Sequence, residues 1–135
     1  YDSSHDTISH VSIQSCWYQE AGTLMKRYGK PVIYDEMGYE GNLQQNWGNL
    51  SAFEVVNRFW CVYTQGAYAS HGETYYAEHE VLWWAKGGRL KGESPRRIQW
   101  LKEILESFPG ALSPIVSGYE QQWIHRKITV HCCRS

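Results

Sequence analysis

The stretch Lys30-Pro-Val-Ile-Tyr-Asp-Glu-Met-Gly-Tyr-Glu-Gly-Asn42 decides the fold. Gly29, Lys30 and Pro31 punctuate its start, and Val32, Ile33 and Tyr34 favour extended backbone, so it reads as a short buried parallel strand. Asp35 and Glu36 stand where that strand ends. A loop with Gly38, Gly41, Asn42, Gly48 and Asn49 follows, carrying Trp47. In parallel α/β sheets and barrels, ligands bind at the carboxyl ends of the strands, which is where Glu36 falls. A carboxylate at a turn also serves as a helix cap or a solvated charge, and pattern alone leaves both readings open.

Working outward, Ile8 to Gln14 alternates in part and predicts a strand. Ser15 to Tyr28 has helical spacing through Leu24, Met25 and Tyr28, with Gly29 placed to end it. Ser51-Ala-Phe-Glu54 is a capping box opening a helix whose apolar stripe is Val55, Val56, Phe59, Trp60 and Tyr63. Gly66 closes that helix. Ala67 to Ser70 reads as a short strand leading into His71-Gly-Glu-Thr-Tyr-Tyr76. A long aromatic loop follows, and Ser94 is expected to cap a last helix with Pro95 in its first turn and Ile98, Leu101, Ile104 and Leu105 buried. Strand, helix, strand, helix, strand, helix predicts βαβ units on a parallel sheet. Three units do not close a (β/α)8 barrel, which takes ~250 residues. They form a small open sheet or the last part of a larger barrel. Residues 1–110 read as this unit, and 111–135 as a tail, linker or start of a further domain, with Ile128-Thr-Val130 a strand candidate.

Bulk numbers narrow the function. A length of 135 residues suits one modest core, and a net charge of -1 points away from nucleic acid and anionic membrane surfaces. No apolar run approaches the ~20 residues that span a bilayer. A start at Tyr1, without an initiator Met or a leader pattern, suggests a fragment. The 7 Trp and 10 Tyr against 3 Phe favour amphipathic aromatic surfaces of the kind that sugars stack on. Cys16, Cys61, Cys132 and Cys133 lack metal-ligand spacing and read as reduced or incidental, and His5, His10, His79 and His125 lack mutual metal-ligand spacing.

Several motifs in order carry a family resemblance: Lys30-Pro-Val-Ile-Tyr-Asp-Glu-Met-Gly-Tyr-Glu-Gly41, Asn46-Trp-Gly-Asn-Leu-Ser51, His71-Gly-Glu-Thr74, Leu82-Trp-Trp84 and Gly92-Glu-Ser-Pro95. Over residues 5 to 108 the chain resembles the C-terminal half of the (β/α)8 barrel of apiosidase-like bacterial glycoside hydrolases, in the retaining barrel clan. The resemblance implies an α/β fold, a partial TIM barrel whose three βα units match strands six to eight. It implies a retaining glycosidase with Glu36 as nucleophile, and an acid/base on the fourth strand, which nothing here matches. Retaining chemistry needs two carboxyl groups ~5 to 5.5 Å apart, so the isolated chain is expected to be inactive. No cofactor is implied; the implied partners are a carbohydrate and the missing N-terminal half of the barrel or a second copy.

Around Glu36, Tyr39 is placed to steer the nucleophile, or to pack the loop. Trp47, Trp83 and Trp84 offer stacking platforms, with at least one of the Trp83–Trp84 pair read as core. His71 is read as a donor to Glu36 or a sugar, or as a structural histidine. Glu73 is assigned by the resemblance to sugar binding or support. Gln14 reaches the rim if its register is right. Asp35 is expected to face the helix layer, because neighbours on a strand point oppositely. Glu40 and the charges from Lys86 to Lys91 read as solvated, and Trp60 and Trp100 as packing. The non-catalytic rival is an α/β carbohydrate-binding or interaction module. An esterase is weak, since no Gly-x-Ser-x-Gly elbow exists.

Overall fold

Alternation of apolar and polar residues makes strands of Val11–Gln14 (β1) and Val32–Glu36 (β2), and the first helix, Ala21–Tyr28 (α1), runs between them. The computed structural model describes residues 5–76, 89–110 and 113. The elements that follow are Glu40–Gly41 (β3), Ala52–Thr64 (α2), Tyr68–Ala69 (β4), Glu73–Thr74 (β5) and Ser94–Glu106 (α3), with single 3-10 turns at Tyr18–Glu20 and Asn46–Gly48. Strands β1, β2 and β4 form a parallel sheet in that order, with β2 central. The expected alternation of strands and helices through residue 106 is what forms. The short parallel pair β3–β5, in which Glu40 faces Glu73 and Gly41 faces Thr74, has no counterpart in the sequence reading.

Val11, Val32, Tyr34 and Ala67 give the sheet one core face, and Ala21, Val55, Phe59, Val62 and Leu101 cover it from the helices. On the opposite face, one register row runs from exposed Ser12 through half-buried Ile33 to exposed Tyr68. Local chemistry sets the helix ends. Gly29 takes φ 60° and its N–H returns to the Met25 carbonyl, the left-handed ending that glycine adopts without strain. At α2 the Ser51 hydroxyl accepts from the Glu54 N–H, and the Glu54 carboxylate accepts from the Ser51 N–H at 2.8 Å. Gln65 fastens α1 to the end of α2, accepting from the Gly22 N–H at 3.0 Å and donating to the Cys61 carbonyl at 2.9 Å. Trp60 meets Trp100 edge-on at 6.2 Å between α2 and α3, although Trp100 is 59% exposed and less packed than expected.

Two expectations are corrected at α3. Ser94 is the first helical residue rather than its cap; the cap position is Glu93, whose own side chain makes no capping bond. The cap comes from Glu40, expected to be solvated and found only 3% exposed. Its carboxylate accepts from the Glu93 and Ser94 N–H groups, both at 2.9 Å, and from the Tyr75 hydroxyl at 3.0 Å. Glu73, equally buried, accepts from the Lys91 and Gly92 N–H groups at 2.6 and 3.0 Å. Four consecutive amides thus give their hydrogens to two buried carboxylates. A charge leaves water only when donors replace its hydration, and a helix N-terminus provides them. Trp83, Trp84, Ile128–Val130 and all of 111–135 except residue 113 lie outside the described residues.

Two predictions follow from these ends. Ser51→Ala removes the hydroxyl of the capping box and should cost about 1 kcal/mol in urea unfolding, with Ser51→Gly milder. For Glu40, burial pushes the carboxyl up, but the Ser94, Glu93 and Tyr75 donors outweigh it and hold it below the ordinary value of 4.5. A depressed folded value means stability that is fully present above 4.5 and lost as pH falls from there through the lower folded value. The urea midpoint should therefore decline below about pH 5, and Glu40→Gln should start lower and decline less steeply.

Candidate active site

The central strand ends on an irregularity that determines where its carboxylates point. Ile13 pairs with Tyr34, but Gln14 pairs with Glu36, so Asp35 is an extra residue on β2. A bulge of this kind re-aims side chains that strict alternation would send to opposite faces. The Ser12 hydroxyl donates to the Asp35 carboxylate, and the Gln14 amide donates to Glu36 at 3.2 Å. Ser12 and Gln14 share one face of β1, so Asp35 and Glu36 both reach that face. The expectation that Asp35 faces the helices is corrected: alternation from Ile33 puts it on the Ser12 face, opposite core-facing Tyr34, and the bulge brings Glu36 to that face as well. Beyond it, the Ser70 N–H donates to the Tyr34 carbonyl at 3.0 Å and the Ser70 hydroxyl to the Asp35 carbonyl, tying the strand end to the chain after β4.

Glu36 is exposed into a cavity of about 410 Å³ with Gln14, Cys16, Tyr39, Asn46, Trp47 and Arg58 in its walls. The Tyr39 hydroxyl donates to Glu36. Burial first, then that bond and the Glu36 and Asp35 charges, push the phenol well above its ordinary value, so it stays protonated as a donor. Glu36 thus faces two donors, Gln14 of β1 and Tyr39 of the following loop. Trp47 stands edge-on to Tyr39 at 6.1 Å and is 49% exposed, leaving much of its ring open to the cavity side. A carboxylate held by neutral donors at a cavity edge, with an indole beside it, can act as a nucleophile or accept from a hydroxylated ligand.

Glu36, Tyr39 and Trp47 are therefore brought together. His71 and Glu73 are not with them. The His71 Nε2 lies 2.9 Å from the Ser94 hydroxyl, its ring packs at 6.2 Å from Phe59, and burial holds it below its ordinary pKa. Glu73 holds the chain before α3. Histidine, serine and glutamate meet here, but Ser94 is fully buried and also bonds Glu40, so they brace a helix and form no hydrolytic triad. Trp84 lies outside the described residues. Among those residues no cluster of His, Cys, Asp or Glu suits a metal ion.

The sequence reading passed over Arg58. It lies on α2, is 7% exposed, sits 5.4 Å over the Tyr18 ring and donates to the Met37 carbonyl, the residue after Glu36. Next to it Gly38 takes φ 90°, and a Cβ there would stand 2.8 Å from the guanidinium. An arginine among Val55, Phe59 and Val62 signals a turn that needs a donor, and that was the available clue. A larger cavity of about 450 Å³ opens between α2 and α3, lined by Tyr63, His71, Ile98, Leu101 and Leu105 among others. Its walls are largely hydrocarbon, and its one carboxylate, Glu106, is exposed, so the chemistry is assigned to the smaller cavity.

No protein-family model and no curated protein matches this sequence. Among solved structures, the fold is similar to the crystal structure of a putative glycoside hydrolase from Bacteroides vulgatus, with a TM-score of 0.74 and 42% identity. The match covers 81% of this chain and 22% of that one, so this chain spans about a fifth of the length of the protein it resembles. In sequence and in backbone alike, the chain is similar to one stretch of a glycoside hydrolase.

Proposed function

We propose that this chain is the nucleophile-bearing part of a retaining glycoside hydrolase, with Glu36 as the nucleophile and the proton donor on sequence outside it. The observation that carries the reading is the Glu36 carboxylate itself, at the carboxyl end of the central parallel strand, open to a cavity and steadied by Tyr39 and Gln14. The resemblance to a glycoside hydrolase supports the same class. Within this reading the parallel sheet is a sector of a (β/α)8 barrel, whose sites lie at this end of the strands.

A Glu36 oxygen attacks the anomeric carbon as the bond to the leaving oxygen breaks, and an acid from the remainder of the barrel protonates that oxygen. The product is a glycosyl ester on Glu36. Water, deprotonated by the same group, then attacks the anomeric carbon, and the ester breaks to free the sugar and restore the carboxylate. Tyr39 and Gln14 orient the attacking oxygens, and Trp47 offers a face for sugar C–H groups. Asp35 is next to Glu36 on the chain and on the same face, so it does not stand across a sugar as the acid. His71 and Glu73 act at one remove, holding α3. The chain is expected to act with the remainder of its barrel.

An activated leaving group needs no proton donor, which isolates the first step. The chain is incubated with a panel of 2,4-dinitrophenyl 2-deoxy-2-fluoroglycosides and digested for peptide mass spectrometry. The expected result is a fluoroglycosyl adduct on Glu36 that Glu36→Gln abolishes, with methyl glycosides turned over at background only. An adduct on another residue, or none with any sugar, rejects Glu36 as nucleophile.

A further inference from the structure

The segment from Met37 to Gly41 hangs between two helices, and Tyr39 is in its middle. On one side the α2 guanidinium of Arg58 donates to the Met37 carbonyl. On the other, the Glu40 carboxylate is fixed by the Glu93 and Ser94 N–H groups at the start of α3. Between these pins the Tyr39 N–H donates to the Trp47 carbonyl at 2.7 Å and its carbonyl accepts from the Leu50 N–H at 3.0 Å. Adjacent side chains on an extended segment point oppositely, and so they do here. Glu40 turns inward to α3, and Tyr39 turns to the cavity, where its hydroxyl meets Glu36. Glycines permit both contacts: a Cβ on Gly72 would stand 2.8 Å from the Tyr39 ring, and one on Gly92 would stand 2.3 Å from the Glu40 carboxyl carbon.

We propose that Glu40 is a positioning residue of the Glu36 site: by gripping the start of α3 it fixes the backbone from which Tyr39 reaches Glu36. Its bearing on catalysis rests on the reading of Glu36 as nucleophile, but its hold on Tyr39 is measurable without a sugar. In Glu40→Gln one carboxylate oxygen becomes an NH2 that faces a backbone donor, so one of the two α3 amides loses its acceptor and the charge is removed while side-chain size is kept. The Tyr39 hydroxyl then drifts from Glu36. A capping residue with a purely stabilising role would lower the melting temperature and leave Tyr39 where it is.

The test is a carbon-13 NMR spectrum of the whole chain with labelled tyrosine rings, the Tyr39 Cζ resonance being assigned by its loss in Tyr39→Phe. Glu36→Gln marks the shift caused by removing the charged acceptor. Glu40→Gln should move the resonance in the same direction, while Gly29→Ala, destabilising through its left-handed turn at the opposite end of β2, should leave it at the parent position. Tyr75→Phe removes one donor to Glu40 without touching the α3 amides; it should give a smaller shift of the same sign and serves if Glu40→Gln fails to fold. A Tyr39 resonance unmoved in whichever of these variants folds overturns the proposal. A second measurement follows fluoroglycoside labelling of Glu36. Glu40→Gln should slow it about as much as Tyr39→Phe, with little change in the concentration for half-saturation, and the double variant should be no slower than the slower single one. Independent, multiplying losses overturn the coupling through Tyr39. Labelling absent from the parent while the resonance shifts rejects the nucleophile and upholds the hold on Tyr39.

Discussion

A carboxylate taken out of water must find its hydrogen-bond donors in the protein. Glu40 and Glu73, side by side on the β3–β5 pair, meet that demand with the amides of residues 91 to 94. Satisfying the charges docks α3, and docking α3 sets Leu101 against the core and Trp100 against Trp60. Glycine at 92 is part of the same solution, since any side chain there would collide with the Glu40 carboxyl. The second half of the described structure is thus organised by two charges, with hydrophobic packing completing what they position.

The first half is organised by the sheet, and the two meet at the end of β2. One extra residue at Asp35 turns Glu36 to the side where Gln14 waits. From there the chain passes Arg58's grip on Met37 and reaches Tyr39, which closes back on Glu36. The exposed Glu36 carboxylate faces the neutral donors Gln14 and Tyr39, and the Arg58 guanidinium donates to the Met37 carbonyl. Glu36 therefore stays open to its cavity.

What could be read from the sequence was what is local. Ser51 and Glu54 are three residues apart and announce their capping box; Gly29 marks its left-handed turn; Val32, Ile33 and Tyr34 announce a buried strand. Grouping Glu36, Tyr39 and Trp47 needed only one strand end and its loop. The misplaced residues have distant partners. Glu40 looked solvated because the amides that receive it are 53 and 54 residues away, and Ser94 looked like a cap for the same reason. Asp35 was misdirected because alternation was counted from Glu36, whose direction is set by a bulge that depends on pairing with β1. Arg58 carries no motif, and its purpose is visible only once Met37 is beside it.

The span between Glu40 and Ser94 also bears on the order in which the molecule assembles. β1, α1 and β2 join partners about twenty residues apart, whereas α3 gains its cap only after a chain loop of more than fifty residues has closed. Closing the longer loop carries the larger entropic cost. On loop closure alone, α3 is expected to dock after β1, α1 and β2 have joined and to open before they part. Exchange of the amide hydrogens of residues 91 to 94 with solvent records each such opening, because those are the hydrogens the two carboxylates hold.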